Sequence, residues 1–237
     1  MAPLIGLMAA AAVQAHVQGQ VFPMGLDPFG YSRIAPDETW TAQRARAVVL
    51  QRYDQGCGPA ALATVLRYVY GDDATEAEIL EEILRRRAEE GNLGGGVSFL
   101  DLIGAAESRG YETLAGAAPL GELKKLNVPA IVLLDRGELR HFVVVWGVVE
   151  DRVYMGDPLI GNMIVPLAEF EQEWLGVLLI VVPKEGQWQQ AVAKVRDHLR
   201  FLDGTRWMQS SFSALESVYG SSLGTGLPFL APLPGEF

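Results

Sequence analysis

The 237-residue chain is 49% apolar and 20% charged, a composition that supports one well-buried core and excludes general disorder. Its formal net charge of −10 leaves nothing to offset phosphate repulsion, so no nucleic-acid partner is expected. One cysteine excludes an internal disulfide and a multi-thiolate metal site, and His16, His141 and His198 lack metal-ligand spacing, so no metal or other cofactor is expected.

Residues 1–15 read MAPLIGLMAAAAVQA: apolar, too short for a comfortable membrane span, and ending in small residues. They have the hydrophobic region and cleavage site of a secretory signal, without its positively charged leading region. The expectation is an exported, periplasmic protein with no membrane span in the mature chain. Residues 16–46 show no period and read as an irregular N-terminal extension. Ala47 to Leu50 is a short apolar run, a strand or an extended lead-in.

Cys57 then stands just before a helical pattern, with Leu62, Val65, Leu66 and Val69 at helical spacing and Gly71 as the stop. Asp73 or Thr75 caps a second helix that runs to about Glu90 and buries Ile79, Leu80, Ile83 and Leu84. Arg85, Arg86 and Arg87 lie among glutamates in it and read as a solvated, ion-paired face. Gly91 and Gly94 to Gly96 form a loop, Ser98 caps a third helix ended by Gly110, and Leu120 to Leu126 is a further short helix.

At Pro129 the pattern changes to short runs of branched residues: 130–134, 142–149, 152–155, 163–165 and 177–182. Asp135 to Glu138 and Glu150-Asp151 read as hairpin connections. Helices first and a mostly antiparallel sheet second is the arrangement of an α+β domain, here residues 47–183. Residues 184–237 read as an extension with a helix over 187–202 and a loose tail from Gly220.

A thiol in the first turn of a helix feels the positive end of the backbone dipole, which favours the attacking thiolate. Cys57 is therefore a candidate nucleophile in search of a base. His141 opens the longest strand directly after a polar turn and is the better-placed base, whereas His198 sits in a charged helical pattern and is expected at the surface. Asp157 ends the strand that returns from the Glu150-Asp151 turn, so it arrives at the same sheet end as His141 and can orient the imidazole. Gln51, six residues before Cys57, and the Cys57 backbone N–H are candidate oxyanion donors. Each piece has an ordinary alternative: an inert buried cysteine, a turn histidine, an Asp-Pro turn, a polar loop glutamine. All four fitting one mechanism with consistent directions favours a site.

The motifs Gln51-Arg52-Tyr53-Asp54-Gln55-Gly56-Cys57-Gly58-Pro59-Ala60, His141-Phe142-Val143-Val144 and Asp157-Pro158 resemble those of the C39 papain-like cysteine peptidases. Gly95 to Leu102 and the Gly110-Tyr111 turn resemble that family's middle region, and the likeness runs from about Ala47 to Pro183. It implies a papain-like fold with Cys57 as nucleophile, His141 as general acid/base, Asp157 as orienting carboxylate and Gln51 as oxyanion donor. Gly56 departs from the pattern, since many members carry an acidic residue before the cysteine. The chain has neither membrane helices nor a phosphate-binding GxxxxGK[ST] loop, so a stand-alone peptidase is expected. In that it is similar to peptidases accompanying functional-amyloid (Fap-type) export systems. The implied partners are a polypeptide substrate, with a Gly-Gly cleavage motif as the natural guess, and secretion or amyloid-export machinery. Two other readings stay open: a non-catalytic peptide-binding module, and peptidyl transfer through the same thioester.

Overall fold

Phe142 to Val149 places apolar side chains on both parities of one strand, and such a strand needs cover on both faces. In the computed structural model, which describes residues 39–92, 94–137 and 139–204, the sheet is covered on both. Its strands are β1 (Glu112–Ala117), β2 (Ala130–Arg136), β3 (Leu139–Val149), β4 (Arg152–Asp157), β5 (Gly161–Pro166) and β6 (Trp174–Val182). They form a single sheet among the described residues, ordered β1-β6-β2-β3-β4-β5 with every neighbour antiparallel. The α+β arrangement expected from the sequence, helices packed on an antiparallel sheet, is present. The signal segment over 1–15, residues 16–38 of the extension, and the tail beyond Gly204 lie outside the described residues.

The helices are α1 (Trp40–Arg44), α2 (Cys57–Thr64), α3 (Glu76–Glu89), α4 (Phe99–Ser108), α5 (Leu120–Leu123), α6 (Leu167–Glu173) and α7 (Trp188–Asp203). Phe142, Val144 and Trp146 of β3 pack with Leu62, Ile79, Ile83, Leu102 and Val195 of the helical layer. Val143 and Val145 pack on the opposite face with Leu123 of α5 and Phe170 of α6. Among the described residues, no helix is long and apolar enough to cross a membrane.

α2 is central to the helical layer because its residues are small. Gly58, Ala60, Ala61 and Ala63 let its backbone lie close to β3, and a Cβ on Gly58 would stand 3.2 Å from the Phe142 ring. Pro59 is tolerated in the first turn, where N–H groups have no helical partner. The helix widens into a π-helical turn over Val65–Tyr70 and ends at Gly71, whose φ of 75° suits glycine. α3 and α4 start with reciprocal capping boxes, Thr75 with Glu78 and Ser98 with Asp101.

Several elements differ from the sequence reading. Ala47 to Leu50, read as a strand or an extended lead-in, forms no strand: Ala47 closes a turn at φ 57°, and the run after it is held where Val49 N–H donates to Thr64 Oγ1 at 2.9 Å. β1 was not expected, because this exposed edge strand, ETLAGA, mixes Glu, Ala and Gly with Thr113 and Leu114 and shows no alternation of apolar residues. α6 and α1 are too short to show a period. Of the arginine run only Arg85 behaves as a solvated ion-paired residue. Arg87 is 8% exposed, pairs with both Asp101 oxygens, and donates to the carbonyls of Gly94, Gly95 and Gly96. The glycine loop is thus a guanidinium cradle.

His198 is not a surface residue. α7 buries it edge-on against Trp146, with ring centroids 4.5 Å apart, and its Nε2 lies 3.1 Å from Asn162 Oδ1. Asn162 Nδ2 in turn donates to the carbonyls of Arg44 and Arg46 at 3.1 and 2.7 Å, so α7, β5 and the lead-in are clasped by one polar chain. Burial, with the Arg46 charge, pushes the His198 pKa down to about 4.

The unfolded chain takes up this proton near pH 6.5 and the folded chain near pH 4, so the contribution of His198 to stability is full above the first value and declines as pH falls toward the second. Denaturant midpoints of the wild type should therefore drop between pH 7 and pH 5, and His198→Gln, which does not titrate, should flatten that drop. Equal drops in both proteins would refute the assignment.

Candidate active site

The hairpin of β3 and β4 turns at Glu150-Asp151, with Val149 opposite Arg152 and Glu150 at φ 54°. Between Val145 and Gly147 the ladder shifts by one residue, a bulge at Trp146. Beyond it Val145 faces Met155 and Val144 faces Gly156, and one further step sets Asp157 across from Val143. Asp157 therefore shares a sheet face with His141, its diagonal neighbour. His141 Nε2 lies 2.8 Å from Asp157 Oδ1, with the two residues 1% and 0% exposed.

Asp157 has further donors. Leu159 N–H bonds to Oδ1 at 2.8 Å, closing the turn that follows β4, and Arg136 Nη1 reaches Oδ2 at 3.3 Å. Arg136 also donates from Nε to Glu173 Oε2 at 3.2 Å. Burial would raise the Asp157 carboxyl, but the His141 charge and hydrogen bond, with Arg136 and the Leu159 N–H, bring its pKa down to about 2.

Cys57 is the first residue of α2 and is half-buried. The His141 ring and the backbone N–H groups of Phe142 and Gly58 stand near enough to its thiol to act on its ionisation. Asp157 engages His141 Nε2, which leaves Nδ1 for the sulfur. Burial pushes the thiol pKa up, but the His141 hydrogen bond and charge, then the two N–H groups, outweigh it and hold the thiol below its ordinary value. For His141, burial disfavours the charged ring, and the Asp157 charge and hydrogen bond, with Cys57, raise its pKa to about 9. The two shifts favour a coupled thiolate–imidazolium pair. Such a pair can attack a carbonyl carbon with sulfur and hand the ring proton to a leaving amine.

Gln51 is close to this constellation but not bonded to the thiol. Its backbone N–H donates to Pro158 O at 2.8 Å, tying the loop before α2 to the turn after β4. Its Nε2 lies 3.4 Å from Tyr53 O, and its buried Oε1 has no hydrogen-bond partner among the described residues. Cys57, His141 and Asp157 are thus brought together directly, and Gln51 is held beside them through its backbone.

Two contributors escaped the sequence reading. Arg136 stood in a stretch read only as a hairpin connection, although strand register places it at the sheet end of His141, with Leu134 opposite His141 and Arg136 opposite Leu139. Glu76 reaches from α3 to accept the backbone N–H groups of Arg52 and Tyr53, and no local pattern announces a contact across 24 residues.

A model of the peptidase C39 family matches residues 45–186, so α7 lies outside the match. A probable functional amyloid protease FapD of Pseudomonas aeruginosa is 34% identical over 140 residues, 59% of this chain and 62% of that protein. The match therefore spans less than two thirds of that relative. The Lactococcin-G-processing and transport ATP-binding protein LagD of Lactococcus lactis subsp. lactis is 26% identical over 185 residues, 77% of this chain and 25% of that protein. Among solved structures, the peptidase domain of Streptococcus ComA, a bi-functional ABC transporter, aligns with a TM-score of 0.51 and 27% identity over 58% of this chain and 98% of its own.

The paired shifts of Cys57 and His141 set a pH expectation. Iodoacetamide should alkylate Cys57 well below the pH at which an ordinary thiol ionises, and His141→Ala should move the profile upward, slowing alkylation at pH 6 by about tenfold for each unit of displacement. Superimposed profiles would show that the imidazole does not activate the thiol.

Proposed function

Because the chain belongs to the peptidase C39 family, we propose that it is a cysteine peptidase that cleaves an exported polypeptide through Cys57, His141 and Asp157. The observation that carries this reading is the His141 ring, bonded through Nε2 to a buried Asp157 carboxylate at 2.8 Å and near enough to the Cys57 thiol to act on its ionisation. The Cys57 thiolate attacks the scissile carbonyl carbon, and the oxyanion that forms is met by the Cys57 N–H and by the Gln51 amide, which turns from its long contact with Tyr53. His141 gives its Nδ1 proton to the departing amine, leaving a thioester on Cys57. Water then attacks the thioester carbonyl while His141 takes its proton, and the C–S bond breaks. The new carboxyl end of the product leaves and the thiolate–imidazolium pair is restored, with Asp157 keeping the ring oriented throughout.

The names of the relatives support a substrate class. FapD is named as a probable functional amyloid protease and LagD as a processing and transport protein, which supports a polypeptide bound for export, with functional-amyloid assembly as the setting; the cut after a Gly-Gly pair is what the motif resemblance implies. The apolar residues 1–15 support a periplasmic site of action, next to the export machinery.

Exported peptides of cells carrying the wild type and Cys57→Ala should differ by one uncut precursor that accumulates in the variant, and sequencing of the wild-type product should place the cut after Gly-Gly. Identical peptide patterns would remove the proteolytic role.

A further inference from the structure

Gly56 immediately precedes the nucleophile, yet its backbone does not call for glycine: φ −82° and ψ −8° are open to any residue. What excludes a side chain is space. A Cβ at this position would lie 1.9 Å from Glu76 Oε1 and 2.8 Å from the Tyr53 carbonyl oxygen. A carboxylate from α3 fills the volume that residue 56 would otherwise use.

That carboxylate is 4% exposed and turned toward the loop. Oε1 and Oε2 accept Arg52 N–H at 3.0 and 2.9 Å, and Oε1 also accepts Tyr53 N–H at 3.2 Å. On the other side of the same loop, the Tyr53 carbonyl accepts Gly56 N–H at 2.9 Å and faces the Gln51 amide at 3.4 Å. α3 does not need Glu76 for its own start, because Thr75 and Glu78 already complete a capping box. A buried carboxylate is expensive to keep, and here all its recorded bonds go to the loop that carries Gln51 and leads into Cys57.

We infer that Glu76 is a positioning residue of the oxyanion site: through the Arg52 and Tyr53 N–H groups it fixes the loop so that the Gln51 amide and the Cys57 N–H converge on one point. This rests on the peptidase reading above. The role is separable from activation of the thiol, since Glu76 acts on the donors of the oxyanion and His141 acts on the sulfur.

Two reagents read the two halves apart. Iodoacetamide alkylates sulfur by displacing iodide and forms no oxyanion. p-Nitrophenyl acetate acetylates it: the thiolate adds to the ester carbonyl, an oxyanion forms and collapses, and p-nitrophenolate leaves. Glu76→Ala should slow acetylation of Cys57 by about 10- to 100-fold, the scale of a misplaced oxyanion donor, while the alkylation rate and its pH profile stay within about twofold. Gly56→Ala, which expels the carboxylate without altering α3, should do the same. Gln51→Ala should show a comparable acetylation defect, and adding Glu76→Ala to it should cost less than the product of the two single defects, because part of the Glu76 effect runs through Gln51. Acetylation and alkylation falling together in Glu76→Ala, neither falling, or defects that multiply with Gln51→Ala would each overturn the inference. If Glu76→Ala does not fold, the ratio of the two rates in Gly56→Ala and Glu76→Gln decides it alone. Wild-type protein acetylated no faster than His141→Ala would fail the peptidase reading itself, before any Glu76 variant is made.

Discussion

The contact between His141 and a fully buried Asp157 carboxylate is the interaction that the rest of the molecule must accommodate. A buried charge of this kind costs several kcal/mol unless its oxygens are met by donors. Here the donors come from three places: His141 at the start of β3, Arg136 at the end of β2, and Leu159 in the turn after β4. Three strand ends must therefore be in register for the carboxylate to remain ionised. Cover on both sheet faces keeps water from competing with those bonds. The depressed carboxyl and the raised imidazole are two views of the same arrangement.

The Cys57 thiol is delivered from another part of the chain, and two constraints make the halves meet. Small residues let α2 lie against Phe142, which brings the sulfur within reach of the Phe142 N–H and the His141 ring. Gln51 N–H then bonds to Pro158 O, next in sequence to Asp157. The loop that leads to the thiol is thereby anchored to the turn that presents the acid. A site assembled from a helix start and a strand end is rigid because each side is fastened to the other by backbone bonds rather than by mobile side chains.

Much of this was legible from the sequence where local chemistry decides. A lone cysteine ahead of the Leu62, Val65, Leu66 and Val69 pattern located the helix start, and the short Glu150-Asp151 turn brought Asp157 back to His141. Thr75 and Ser98 marked helix starts because capping is a local event. What was not legible depends on distant partners. Arg87 and His198 looked solvated because their own helices are charged, and only the packing of Asp101, Asn162 and Trp146 removes them from water. Gly56 looked like a missing acid, whereas the volume beside it holds one contributed by Glu76. An edge strand such as β1, largely exposed even at Leu114, leaves no apolar alternation to read.

The bulge at Trp146 acts as a parity switch. With Val149 opposite Arg152, an unbroken ladder would set Asp157 across from Val144, on the helical face and away from His141. The one extra residue restores the acid to the imidazole's face, while Trp146 and Gly147 both point toward the helical layer, where α7 packs. Reading frame in this hairpin is thus as consequential as residue identity. A change of a single residue between His141 and Asp157 would have to be matched by a second, or by a shift of the turn, to keep the ring and the carboxylate on one face.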